Sequence, residues 1–220
     1  MIQQVVIVSG GVPSRWPDLS ELDMNQTAII GVDRGVRFAL EAGFNVDIAV
    51  GDFDSLTTDE FQNMTKEISI IKTSVPEKDD TDTELGVLMA MEHYPGLPVI
   101  IIGGTGGRID HFLCNLWFPL QPRFSKMIPL IHLWDKWNKV SYFHPGDYEI
   151  LKDPLFDYLA FVCFTPVTGL YLREVKYPLN DVTLYHPMSY ASNEFLTEKA
   201  NFSFHSGIMG VIQSMDETFE

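Results

Sequence analysis

The sequence predicts an α/β protein, in which an N-terminal α/β domain built on a parallel sheet precedes a C-terminal all-β sandwich. Up to about residue 136, apolar runs alternate with amphipathic segments, as they do in parallel sheets whose strands are joined by helical crossovers. From residue 137 onward, short β-rich runs separated by Pro-Gly, Asn-Asp and Ser-Gly signals replace the helical period. The expected domains are therefore residues 1–136 and residues 137–220.

The first domain is expected to alternate buried strands with helices. Strands are predicted at residues 5–8, 28–32, 48–50, 68–71, 99–102 and 128–133. Helices are predicted over residues 36–42, closed by Gly43, from Thr57, from Thr81 and over residues 112–116. Because ligands of open parallel sheets bind beyond the carboxyl ends of the strands, the turns that follow these strands are where a site is expected.

The second domain is expected to contain strands only. They are predicted at residues 141–143, 148–151, 159–164, 169–176, 182–185, 199–204 and 208–213. Such short strands at close spacing favour a small antiparallel sandwich or barrel.

The composition excludes several classes of protein. Lys and Arg total 15 against 30 Asp and Glu, so the net charge is −15 and no basic stripe is present for a nucleic acid. The start of the chain lacks a basic leader, and no apolar run approaches the roughly 20 residues of a membrane span. Cys114 and Cys163 both lie in apolar stretches, which predicts buried thiols in a reducing compartment and a cytoplasmic protein.

Two clusters of acids stand where the sheet predicts a ligand. Residues 51–55 read G-D-F-D-S and place Asp52 and Asp54 directly after a strand, although turn chemistry is the more common explanation of an isolated D-x-D motif. Residues 78–84 contain Asp79, Asp80 and Asp82 around a Thr81–Glu84 capping box. Capping accounts for Asp82 but not for all three aspartates, and hard carboxylate oxygens suit Mg²⁺ shared with substrate phosphates.

A glycine-rich turn follows the strand at residues 99–102. It reads G-G-T-G-G-R-I-D-H over residues 103–111, and its backbone N–H groups, with the guanidinium of Arg108, are suited to phosphates. It is neither a Walker A loop nor a dinucleotide fingerprint, because Gly-Lys-Ser/Thr is missing and Ile109 replaces the last glycine. A flexible strand-to-helix turn remains the alternative interpretation.

Taken in order, these three motifs resemble the G-D-F-D-S, D-x-T-D and G-G-R-x-D-H pattern of the thiamine pyrophosphokinase family. The resemblance continues in the second domain, where residues 177–179 look like the family's Y-P-L segment and residues 192–194 like its S-N-E segment. The length and the S-N-E form are similar to the bacterial branch. Two segments depart from the pattern: Arg34 replaces a glycine of the family's A-D-G-G, and residues 161–166 are a loose version of its S-L-x-P strand.

The resemblance implies a Mg²⁺-dependent transfer of the diphosphoryl group of ATP to thiamine. It also implies a homodimer that binds thiamine between the nucleotide domain of one subunit and the sandwich of the other. The implied metal and catalytic acids are Asp52, Asp54, Asp79 and Asp82. The implied ATP-binding residues are Asp33, Thr81, Gly104, Gly106, Gly107, Arg108, Asp110, His111 and Asn115. The resemblance implies that Ser192 and Asn193 contact thiamine and that Tyr190 is an aromatic neighbour. Without the resemblance, Ser192-Asn193 would be interpreted as an ordinary turn between strands and Tyr190 as a packing residue.

Two other functions are compatible with parts of the sequence. An aspartyl-nucleophile phosphohydrolase would use Asp52 as its nucleophile, but it gives no role to the glycine-rich turn or to the β-rich domain. A metal-binding adhesion or lectin-like module would explain the acids and the strands, but not the alternating α/β region. Trapping a covalent phosphate on the protein discriminates the first alternative, and an absence of ATP binding would favour the second.

Overall fold

The computed structural model describes residues 1–53, 57, 61, 68–73 and 80–217. The chain divides into two compact units, the first formed by residues 1–121 and 130–136 and the second by residues 122–129 and 137–220. The predicted fold class is confirmed: an α/β unit is followed by a unit made of antiparallel strands.

The first unit is built on six parallel strands in the order β6-β5-β1-β2-β3-β4. Their bounds are Gln4–Val8 for β1, Thr27–Val32 for β2, Ile48–Gly51 for β3, Ile70–Thr73 for β4, Val99–Ile102 for β5 and Ile131–Trp134 for β6. β2 and β5 are buried along their whole length and β1 is buried from Val5 onward, and Val and Ile are the commonest residues of these strands. That composition is expected of parallel strands covered on both faces.

Three described helices belong to this unit: α1 (Arg34–Glu41), α2 (Asp82–His93) and α3 (Ile109–Trp117). Glycines let α1 and α2 approach opposite faces of the sheet. A Cβ added to Gly31 would lie 2.8 Å from Val36 of α1, whereas one added to Gly86 of α2 would lie 3.0 Å from Val32. The two helices therefore cover both faces, as predicted from the alternating pattern.

Some predicted elements move or lie elsewhere. The strand predicted at 68–71 runs over Ile70–Thr73, and the one predicted at 128–133 begins only at Ile131, because a 3-10 segment spans Pro122–Leu130. The helix predicted from Thr57 falls largely outside the described residues; of it, the structure shows the N–H of Phe61 donating to the carbonyl of Thr57. No helix among the described residues is long and apolar enough to cross a membrane.

The second unit contains two antiparallel sheets with the strand orders β12-β9-β14-β7 and β11-β10-β13-β8. The strands are β7 (Asn138–Phe143), β8 (Gly146–Leu151), β9 (Tyr158–Cys163), β10 (Val167–Arg173), β11 (Leu179–Leu184), β12 (Met188–Asn193), β13 (Lys199–Phe204) and β14 (Met209–Ser214). Side chains of the two sheets share one core, in which the rings of Phe161 and Phe202 meet at 5.5 Å. This is the predicted sandwich, with β12 as a strand that the sequence analysis did not predict.

Candidate functional site

A cavity of about 1060 Å³ opens at the carboxyl end of the parallel sheet in the first unit. Its walls are the segments that follow β1, β2, β3 and β5, together with the first turns of α2 and α3. The cavity therefore lies where ligands of open parallel sheets are expected to bind.

Backbone forms one wall because two glycine turns touch there. The N–H of Gly11 donates to the carbonyl oxygen of Gly103 at 2.8 Å, and a Cβ on Gly11 would lie 2.5 Å from the same oxygen. Gly103, Gly106 and Gly107 all have φ between 66° and 75°, where glycine is unstrained. A wall of this kind lets a ligand approach peptide N–H groups without meeting side chains.

Asp33 and Asp52 follow the neighbouring strands β2 and β3, and both line the cavity. Asp33 has φ 49°, its N–H donates to Val50 at 2.8 Å, and a Cβ on Gly51 would lie 2.2 Å from its Oδ1. Phe53, which follows Asp52, also has a positive φ of 52°. Left-handed backbone at non-glycine residues costs on the order of 1–3 kcal/mol and clusters at functional sites, so these residues are candidates for a role beyond packing.

The predicted capping box of α2 is present. Thr81 Oγ1 accepts from the N–H of Glu84 at 3.2 Å, and Glu84 Oε2 accepts from the N–H of Thr81 at 2.8 Å. Buried Glu84 also accepts from the Gln121 amide, while the Thr83 hydroxyl bonds that of Ser9 at 3.1 Å and so joins α2 to the end of β1. These contacts fix the first helical turn, from which Asp82 lines the cavity.

Arg108 and Asp110 form a two-pronged ion pair at the start of α3. The Nε and Nη2 atoms of Arg108 donate to the two carboxylate oxygens of Asp110 at 3.1 and 2.5 Å. The guanidinium lowers the pKa of Asp110 to about 2, although both side chains are exposed. Buried Asn115 donates to the carbonyl of Gly104 at 2.8 Å, which ties the glycine-rich turn to α3.

Every described residue predicted to bind ATP or metal lines this one cavity. The set is Asp33, Asp52, Thr81, Asp82, Gly104, Gly106, Gly107, Arg108, Asp110, His111 and Asn115. Asp54 and Asp79 lie outside the described residues. Within the described ranges, no three His, Cys, Asp or Glu side chains are grouped closely enough to hold a metal ion.

The cavity also contains residues that the sequence analysis did not select, among them Ser9, Gly10, Gly11, Arg15 and Arg37. Ser9, Gly10 and Gly11 could have been found from the sequence, because they form a glycine-rich turn directly after a buried strand, as residues 103–107 do. Nothing in the local sequence distinguishes the two arginines from ordinary surface residues.

Cys114 also lines the cavity. It is exposed, so the prediction that both thiols are buried is wrong for Cys114 and right for Cys163. Asn115 is the buried residue of α3, whereas Cys114 faces the open cavity, so apolar neighbours in the sequence do not bury its thiol.

The residues predicted to bind thiamine lie on β12 of the second unit. Asn193 is 1% exposed, and its amide is occupied: Oδ1 accepts from the N–H groups of Tyr177 and Glu194, and Nδ2 donates to the carbonyl of Tyr177. Ser192 is exposed with φ 57°, and Tyr190 packs against the sandwich core. Asn193 thus fixes the segment at Tyr177, and Ser192 is the side chain of the pair that faces solvent.

Two sequence-family profiles match the chain. Residues 19–131 match the thiamin pyrophosphokinase catalytic domain, and residues 147–209 match the thiamin pyrophosphokinase vitamin B1 binding domain. The thiamine pyrophosphokinase of Bacillus subtilis is 38% identical over 218 residues, which cover 98% of this chain and all of that protein.

Solved structures give the same result. A thiamin pyrophosphokinase family protein from Enterococcus faecalis superposes with a TM-score of 0.92 at 44% identity, covering 97% of this chain and 100% of the other. The Bacillus subtilis enzyme gives 0.83 at 35% identity with the same coverage. The Candida albicans enzyme, at 15% identity and a TM-score of 0.76 over 97% of this chain and 90% of its own, shares the fold.

Proposed function

This chain belongs to the thiamin pyrophosphokinase family, and we propose on that premise that it transfers the diphosphoryl group of ATP to the hydroxyl of thiamine, giving thiamine diphosphate and AMP. The observation that carries the proposal is the single cavity in which Asp52, Asp82 and Arg108 lie with the paired glycine turns. It combines carboxylates for a metal ion with donors for phosphate oxygens. The phosphohydrolase and adhesion alternatives have no support, because both domains match this one family.

The catalytic acids of the proposal are Asp52, Asp54, Asp79 and Asp82. Asp52 and Asp82 supply the hard carboxylate oxygens that Mg²⁺ takes together with substrate phosphates, so the donors present fit this ion. When bound, Mg²⁺ neutralises charge that develops on the phosphate oxygens during transfer.

In the proposed reaction the thiamine oxygen forms a bond to the β-phosphorus while the bond from that phosphorus to the α–β bridging oxygen breaks. The electron pair leaves with AMP, and the hydroxyl proton passes to a carboxylate of the acidic cluster. The chain contributes position and charge: peptide N–H groups of Gly104, Gly106 and Gly107, with Arg108, hold phosphate oxygens in line for attack. Because the Asp110 pair holds Arg108 as a fork, its planar donors are oriented before ATP arrives.

The remaining nucleotide contacts are assigned to Asp33, Thr81, Asp110, His111 and Asn115. All five line the cavity, and three of them also hold its walls: Asn115 bonds Gly104, Thr81 caps α2 and Asp110 pairs with Arg108. On this proposal residues 1–136 are the catalytic domain, and residues 137–220 bind thiamine, with Ser192 facing the substrate, Tyr190 beside it and Asn193 holding the segment at Tyr177 in place.

We further propose a cytoplasmic homodimer in which each thiamine site takes residues from both subunits. Ile109 and Trp117 of α3 are 74% and 53% exposed, and a second subunit that packed on this helix would cover both side chains. Both cysteines are free thiols, which suits a reducing compartment.

The reaction is tested by the products. Purified protein incubated with ATP, Mg²⁺ and thiamine should release AMP and thiamine diphosphate in equal amounts, followed by chromatography with mass detection. A chelator should stop turnover, and added Mg²⁺ should restore it. Formation of ADP with thiamine monophosphate would contradict the one-step transfer.

A further inference from the structure

The side chain of Arg34 lies flat across Gly10. Its Nε donates to the carbonyl oxygen of Gly10 at 2.6 Å. A Cβ added to Gly10 would meet Nε at 3.0 Å, Cγ at 3.3 Å and Cδ at 3.7 Å. Because Gly10 has no side chain, the methylene groups of Arg34 pack directly on its backbone. The hydrogen bond from Nε holds the guanidinium on one side and leaves the terminal nitrogens available.

Arg34 stands between the two parts of the cavity that the proposed reaction uses. It begins α1 directly after Asp33, whose carboxylate contacts Gly51 beside Asp52. The glycine that it covers precedes Gly11, which bonds to Gly103 of the glycine-rich turn. The strand order β5-β1-β2-β3 therefore sets the glycine-rich turn, Gly10, Arg34 and Asp52 along one edge of the sheet.

Two other exposed arginines of this cavity, Arg37 and Arg108, form ion pairs within the chain. Arg37 pairs with Glu41 at 3.4 Å and lies over the ring of Phe38, and Arg108 pairs with Asp110. Arg34 forms no ion pair with any described residue, and its hydrogen bond to Gly10 uses Nε alone. Its two terminal nitrogens carry four further N–H donors, in a planar fork that matches phosphate oxygens.

We propose that Arg34 binds the phosphate chain of ATP through its terminal guanidinium nitrogens, with Gly10 as the seat that orients it. This inference rests on the proposed function, since it assigns a residue to the nucleotide of that reaction. It also gives a role to the position at which the chain departs from the family's A-D-G-G pattern: the residue there is a phosphate ligand.

The test compares Arg34→Ala with Arg173→Ala, which removes an exposed arginine of the second unit that does not line the cavity. Calorimetry would measure binding of α,β-methylene-ATP with Mg²⁺ and of adenosine, which lacks phosphates. Arg34→Ala should weaken the triphosphate analogue by about tenfold or more, the loss expected for a charge-assisted hydrogen bond, and leave adenosine within about twofold. Arg173→Ala should leave both within about twofold, since Arg173 lies outside the cavity.

Steady-state kinetics give an independent reading. Arg34→Ala should raise KM for ATP and leave KM for thiamine unchanged, and Arg34→Lys should recover part of the loss because it keeps the charge without the Nε anchor. Melting temperatures near that of the wild type would show that all three variants fold.

The outcomes separate this inference from the proposed function. If the wild type binds the analogue and Arg34→Ala binds it equally well, Arg34 is not a phosphate ligand, although the reaction stands. An equal loss for adenosine would place the contact at the nucleoside and overturn the inference too. If the wild type binds no analogue and makes no thiamine diphosphate, the proposed function fails with it.

Discussion

The buried side-chain amide of Asn193 pairs with a backbone peptide group of the sandwich, as a neighbouring strand would. Its two hydrogen bonds to the N–H and carbonyl groups of Tyr177 join β12 to the segment before β11, next to the backbone bond from the Lys176 N–H to the Glu194 carbonyl. The neighbouring bridge between Val175 and Phe195 ends just before it. Asn193 therefore positions the surface at Ser192 and Tyr177, and its effect on thiamine is expected to be indirect.

Asn193→Ala should accordingly destabilise the protein as well as weaken thiamine use. Removing the amide takes these partners from the peptide groups of Tyr177 and Glu194, which costs about 1–3 kcal/mol for each group that water does not reach. Urea unfolding followed by fluorescence would measure this loss, and initial rates would give KM for thiamine. Ser192→Ala is the matched control, because Ser192 is exposed: it should change KM for thiamine at unchanged stability. An Asn193→Ala protein of wild-type stability would show that the amide is not structural.

The site residues that the sequence predicted are those whose chemistry follows a buried strand. Asp52 and the glycines after β5 were found because a run of Val and Ile ends immediately before them. Arg34 was noticed only as a departure from a pattern, and Arg15 not at all, because an arginine enters the cavity through tertiary structure alone. For the same reason, the sequence could not show that Asn193 is occupied by Tyr177, which is 16 residues away in the chain.

At the level of elements, edge strands and irregular turns were predicted least well. β12 lacks an alternation of buried and exposed residues, since most of its residues are exposed. β4 is at most half-buried along its length. An edge strand lacks the burial pattern from which central strands are recognised, as the correct prediction of β1, β2, β3 and β5 illustrates by contrast. β6 starts late because Pro129 and its neighbours form a 3-10 segment, whose apolar residues resemble the start of a strand.

A histidine on β6 makes the stability of the first unit depend on pH. Burial lowers the pKa of His132 to about 4, and its unfolded value is near 6.5. Between these values the unfolded chain takes up a proton that the folded state refuses, so stability present above pH 6.5 is lost as the pH falls toward 4. The loss from this ring should reach about 2 kcal/mol at pH 5.

Urea unfolding at pH 7.5 and pH 5.0 would test this for the wild type and for His132→Phe, whose ring does not titrate. The wild type should lose about 2 kcal/mol more than the variant between the two conditions, since all other groups are shared. Equal losses in the two proteins would assign the acid sensitivity to other residues.

Over the whole molecule, the cavity differs in charge from the rest of the surface. The chain carries −15, whereas the described lining contains Arg15, Arg34, Arg37 and Arg108 against Asp33, Asp52, Asp82 and Asp110. An anionic nucleotide thus enters a region of balanced charge. The acidic exterior, screened within about 8 Å at physiological salt, attracts the cationic thiazolium and disfavours nucleic acid.

A shared active site in a homodimer predicts that two inactive variants complement each other. Asp82→Asn removes a carboxylate from the first unit, and Ser192→Arg places a cation at an exposed position where the cationic substrate is proposed to bind. If each site combines the first unit of one subunit with the second unit of its partner, a mixed dimer collects both defects in one site and leaves the other intact. After subunit exchange, statistical mixing makes about half of the dimers mixed, so activity should rise from near zero to about a quarter of the wild-type value. Exchange would be followed independently by native mass spectrometry of a tagged subunit. Mixed dimers without recovered activity would place both halves of the site in one chain, and a monomeric protein would exclude the shared site altogether.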